Sequence, residues 1–207
     1  MNKKNLLLCI LSAVIVFNMA ATSNAYALTS TTWKEDYGFY QLNKNTREVY
    51  KKALSQCRKR QFIRYKYKEF KYAVKVSATD YRISENQIYK LFITLSNNHP
   101  EFYWISNRFV KSCRKDGTVK YLYILVEPQY NSYDFRNCID REINSSVNKY
   151  IKIAKKYKKR SEKVLAVNNE MKKRAKFAYT SSGKISTTMK YYAISGLFVN
   201  KKATCQG

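Results

Sequence analysis

The spacing of apolar residues changes period along this chain, and that change rules out most architectures. From Thr46, the residues Val49, Tyr50, Ala53, Leu54 and Cys57 recur every three or four positions, which predicts an amphipathic helix over 46–60. Phe70, Tyr72, Val74 and Val76 then alternate with Lys71, Ala73 and Lys75, the period of a half-buried strand. Ser84 and Gln87 have the spacing of a capping box ahead of Ile88, Leu91, Phe92 and Leu95, so a second helix is predicted over 85–97, stopped by Pro100. Phe102 to Val110 and Thr118 to Glu127 are rich in aromatic and β-branched residues, and Lys115-Asp116-Gly117 between them supplies a turn, which predicts a hairpin. Phe135, Ile139, Ile143, Val147, Tyr150, Ala154 and Tyr157 mark a long helix over 134–158. Ser161 is placed to cap a further helix carrying Val164, Leu165, Asn168, Met171 and Ala175. From Phe177 the pattern breaks into Ser/Thr-rich loop and short elements. The succession of helix, strand, helix, hairpin and two helices is α+β, not an alternating βαβ series.

Ahead of this body, Lys3 and Lys4 precede the short apolar run Leu6 to Phe17, and Ala25-Tyr26-Ala27 offers a small-x-small cleavage site. Residues 1–27 therefore read as a bacterial-type signal peptide, too short in its apolar run to span a bilayer. The mature chain is expected to be secreted or cell-wall associated, with no membrane span after cleavage. Cleavage removes two lysines and no acid, so the formal net charge falls from +26 to +24. Such an excess attracts polyanions: anionic cell-wall polymers, lipid head groups, acidic glycans or nucleic acid. A plain lysine-rich solvated surface accounts for the same number, and charge alone does not choose among them.

The chemistry-bearing residues are few. There is no GxGxxG, GK[ST], HExxH, GxSxG or EF-hand pattern, and no CxxC pair, so no metal or cofactor is expected. Export permits disulfides, but Cys57, Cys113, Cys138 and Cys205 have wide, irregular spacing, and their pairing stays open. Cys57 and Cys138 fall on apolar helical faces and are expected to be buried free thiols. His99, the one histidine, could act as a base near Glu101; with no nucleophile nearby in sequence, a cap on the last helical carbonyls is the favoured role. Arg58 to Tyr72 interleaves cations with aromatics as single-strand nucleic-acid platforms do, yet period-2 aromatics on a strand are mostly core, and nucleic-acid binding is not expected. Lys152 to Arg160 reads first as a solvated face and second as a polyanion patch.

The tail carries the sharpest signal. Tyr191-Tyr-Ala-Ile-Ser-Gly-Leu-Phe-Val-Asn-Lys-Lys-Ala-Thr-Cys-Gln-Gly207 resembles the nucleophile segment of the transglutaminase-like superfamily, in which a Cys-Gln-Gly follows a Lys-Ala pair. Asn98-His99-Pro100-Glu101-Phe102-Tyr103-Trp104 resembles the segment that precedes the catalytic core in such proteins, and Ser161 to Tyr179 resembles the helix leading into the nucleophile loop. The resemblance runs over roughly residues 35–207. It implies a region 28–160 of α+β structure, followed over 161–207 by the incomplete start of a papain-like transglutaminase core, cut just past its nucleophile Cys205.

The implied chemistry is acyl transfer or amide hydrolysis on protein or peptide substrates. In this family the cysteine opens a helix whose N-terminal dipole favours thiolate, a later His takes the proton, and an Asp orients that His. Neither the helix nor a matching His and Asp follows Cys205 here, so catalysis by these 207 residues alone is expected to be negligible. The stretch from Phe177 onward, without its usual packing surface, is expected to be poorly ordered. The alternative is a non-catalytic basic module that binds anionic cell-wall polymers.

Overall fold

The computed structural model describes residues 37–186 and 193–204. The proposed signal peptide, Tyr191, Tyr192 and Cys205 lie outside the described residues. The chain separates into two compact units, Leu28–Arg136 and a second that includes Asn137–Gly207. Residue 160, the last of the expected N-terminal region, opens a helix within the second unit.

The first unit is a four-stranded antiparallel sheet with helices. A short helix α1 (Tyr37–Tyr40) leads to α2 (Lys44–Arg58), which begins where Asn43 Oδ1 accepts from Thr46 N at 2.9 Å. The strands are β1 (Phe62–Tyr67), β2 (Phe70–Ser77), β3 (Ile105–Cys113) and β4 (Val119–Val126), in the order β1-β2-β4-β3. Helix α3 (Glu85–Asn98) separates the two hairpins, and Gln87 Oε1 accepts from Ser84 N at 2.9 Å, one arm of the expected capping box. The register sets Val74 against Ile124 and Val76 against Leu122, all fully buried. Phe109, opposite Ile124, meets Phe92 of α3 with ring centroids 4.9 Å apart, so the helices cover this face. Gly117 takes φ +78° in the second hairpin, as its turn requires.

The opposite sheet face has a smaller core of Phe70, Ala73 and Leu125, over which Tyr65, Val110 and Tyr123 pack. Tyr65 and Tyr123 lie face to face, with centroids 4.3 Å apart and planes 15° from parallel. Lys75 Nζ sits 4.1 Å from the Tyr121 ring centroid. Aromatic rings and a lysine thus pack over this face.

The second unit holds most of helix α4 (Tyr133–Ala154), then α5 (Arg160–Arg174), β5 (Lys176–Phe177), α6 (Ile194–Phe198) and β6 (Lys202–Ala203). Helix α4 buries Ile139, Ile143, Tyr150 and Ala154, while Phe135 and Tyr157 from the expected stripe are exposed. It ends at Ala154, four residues short of expectation: Lys155 N still donates to Ile151 O in the helical i−4 pattern, but Lys156 N and Tyr157 N donate to Ile153 O and Ala154 O, three residues back. Helix α5 starts at Arg160, so Ser161 lies inside its first turn instead of capping it. Its buried side is Val167, Asn168 and Met171, and Leu165 points outward at 60% exposure.

The expectation of loose packing after Phe177 is corrected for the described residues. Strands β5 and β6 pair in parallel, joined by Lys176 N to Lys201 O and Ala178 N to Ala203 O, both 2.9 Å. Phe198 is buried against Tyr150, at 5.6 Å between centroids, and Ser146 Oγ donates to its carbonyl at 3.3 Å. Local elements of this unit supply that packing surface. The chain is α+β as expected.

Candidate functional site

The expected nucleophile, Cys205, lies outside the described residues, but the backbone that leads to it does not. Strand β6 hydrogen-bonds to β5, and Ala203 and Thr204 are buried at 8% and 4% exposure. Lys201 takes φ +53°, a left-handed kink that turns the chain into β6 after α6. The approach to position 205 is therefore held by paired backbone and buried side chains.

A second cluster of functional side chains lies in the first unit. Pro100 ends α3 and starts a 3₁₀ turn over Pro100–Phe102, which returns Glu101 beneath His99. His99 Nδ1 lies 2.9 Å from Glu101 Oε1, and His99 Nε2 lies 3.0 Å from the Tyr50 hydroxyl of α2. An ionised carboxylate only accepts, so with Glu101 charged the proton sits on Nδ1 and Nε2 accepts from Tyr50. Tyr50 is fully buried, His99 is 7% exposed, and the ring of Phe102 stacks on His99 at 5.2 Å.

The expectation that the imidazole caps helical carbonyls is therefore corrected. The backbone N–H of His99 closes α3 on Leu95 O at 3.2 Å, while the ring ties α3 to α2. The physical reason is the buried Tyr50 hydroxyl, which needs a partner and has one in Nε2.

Geometrically this is an acid–imidazole–hydroxyl chain. It holds a tautomer and can pass a proton between Tyr50 and Glu101, but the fully buried Tyr50 presents no atom to a substrate. Cys57 belongs to the same surroundings: burial pushes its thiol far above the ordinary range, and the charge of Glu101 adds to this. It is an inert thiol. Burial also holds the Arg58 guanidinium below its usual value, while Glu101 and Tyr50 oppose that shift.

The described cysteines Cys57, Cys113 and Cys138 are all free thiols. Cys57 is buried as expected, but Cys138 is exposed, because the buried stripe of α4 runs through its neighbour Ile139, about 100° around the helix. Among the described residues no three His, Cys, Asp or Glu side chains come together as a metal site. Among the same residues no helix is long and apolar enough to cross a membrane. The cation–aromatic stretch Arg58 to Tyr72 runs from the end of α2 into the β1–β2 edge hairpin, where one face of the Tyr65 ring is already covered by Tyr123.

Sequence reasoning missed the Tyr50 contact, since 49 residues separate it from His99. The only available signal was a tyrosine on the apolar stripe of a helix predicted to be core. No family model matches the chain, and neither a curated protein nor a solved structure does.

Proposed function

We propose that the chain is the N-terminal part of a secreted transglutaminase-like protein, with Cys205 the nucleophile of acyl transfer or amide hydrolysis and residues 161–207 the start of a papain-like core. The observation that carries this reading is the anchored approach to Cys205: β6 pairs with β5, and Thr204, next to the cysteine, is buried. A thiol that attacks a carboxamide must be presented at a fixed place, and paired backbone on its N-terminal side provides half of that fixing. The Lys-Ala-Thr-Cys-Gln-Gly sequence supplies the rest of the support.

In this reaction the Cys205 thiolate attacks the carbonyl carbon of a carboxamide, and ammonia or an amine leaves with a proton. The resulting thioester is then opened by an amine or by water, which restores the thiol. His99 does not serve as the base, because both of its ring nitrogens are engaged by Tyr50 and Glu101. The family's His and Asp follow its nucleophile, so on this reading they are encoded beyond codon 207. Sequencing the DNA past that codon tests the proposal. A continuing frame that encodes a helix after Gly207, then a His and an Asp, is the expected result. A frame without them overturns it.

A further inference from the structure

The second unit carries a charged surface that the proposed chemistry does not use. Residues 152–160 contain six cations and no acid: Lys152, Lys155, Lys156, Lys158, Lys159 and Arg160. All six are exposed. Among the described residues none of them is within ion-pair distance of a carboxylate, although other cations of this chain are, such as Lys52 with Asp80 at 2.7 Å. The nearest acid in sequence, Glu162, turns its Oε2 toward the backbone N–H of Lys159 at 3.4 Å instead. Holding so many like charges together unneutralised costs self-repulsion, which an external anion relieves.

Apolar surface lies directly beside these charges. Arg160, Ser161, Val164, Leu165 and Asn168 line a shallow, mainly apolar depression along one stripe of α5. Leu165 is 60% exposed and Tyr157, within the cationic loop, 42%. A soluble anionic polymer would be satisfied by the lysines and gives no reason for an exposed leucine and tyrosine at the same place. An anionic lipid surface uses both: phosphate head groups meet the cations, and the apolar side chains enter the head-group boundary.

We infer that the α4–α5 junction, residues 152–168, is a docking surface for anionic lipid membranes, with Tyr157, Val164 and Leu165 as the inserting edge. The surface does not include Cys205 and does not depend on it. Binding is electrostatic at first contact, so it weakens as salt shortens the Debye length from about 8 Å at physiological ionic strength.

The test is amide hydrogen exchange on the full chain with vesicles of phosphatidylglycerol and phosphatidylcholine in equal parts, against vesicles of phosphatidylcholine alone. A local readout keeps the apolar run Leu6 to Phe17 from contributing. Exchange over residues 155–166 is expected to slow several-fold, by about five or more, with the anionic vesicles only. Joint replacement of Lys158→Gln, Lys159→Gln and Arg160→Gln is expected to weaken that protection about 100-fold in lipid concentration. Leu165→Ser is expected to weaken it about tenfold. All four positions are exposed, so circular dichroism should remain that of the parent. No local protection, or equal protection by neutral vesicles, overturns the inference. Protection by soluble polyphosphate that Leu165→Ser leaves unchanged also overturns it, in favour of a polymer site.

Discussion

At the scale of single residues, the molecule turns on how buried polar groups are satisfied. Tyr50→Phe removes the one hydroxyl that meets His99 Nε2 and leaves a buried ring nitrogen without it. The cost is expected to be about 1–3 kcal/mol, read as a lower urea midpoint at unchanged slope. A variant as stable as the parent would show that water satisfies His99 equally well. Glu127 gives a pH test. Burial raises its carboxyl above the ordinary range, with Ser106 and Arg108 pulling the other way. A folded-state pKa above the unfolded one means that the protonated acid stabilises the fold below the unfolded value, about 4.3, and that this contribution is lost as pH rises through the folded one. Glu127→Gln should therefore gain thermal stability over the parent as pH is raised from about 4 to 7. A difference independent of pH would remove Glu127 from that role. The sequence shows His99 two residues from Glu101, but not Tyr50, because a contact across 49 residues is made by tertiary packing alone.

At the scale of elements, periodicity was readable wherever one face of an element is buried. Helices α2 and α3 and strands β2 and β4 fall within a few residues of their predicted bounds, since their apolar stripes face a core. Strand β1 left no such trace: none of its six residues is buried, and Ile63 and Tyr67 are exposed. An edge strand takes its place from backbone pairing with β2, which leaves no mark on side-chain pattern. On α5 a stripe was legible but misplaced, since Val167 is buried and Leu165 is not. The same contrast predicts mutational costs. Leu122→Ala, in the centre of the helix-covered face, should cost about 2–5 kcal/mol in chemical denaturation. Ile63→Ala, on the open edge, should stay within about 1 kcal/mol. Equal costs at both positions would contradict this contrast between core and edge.

At the scale of the whole molecule, the large positive charge and the cysteine at position 205 belong to different parts of the account. Six of the cations cluster at the α4–α5 junction, with no ion pair among the described residues, whereas the cysteine follows a paired strand. The mixed α+β class was legible because each period change could be located in the sequence. The packing of residues 193–204 was not, because it rests on Phe198 meeting Tyr150 and on two-residue strands too short to show a period. On the proposed reading, Cys205 is a nucleophile whose activating groups follow it. The most direct measurement is the rate of Cys205 alkylation by iodoacetamide at pH 7, resolved from Cys113 and Cys138 by peptide mass. It compares the 207-residue chain with the product isolated from the cells that make it. Expected is the slow rate of an ordinary thiol in the 207-residue chain, unchanged by His99→Gln, and a rate at least about tenfold higher in the cellular product. Equal, slow rates in both would contradict that reading.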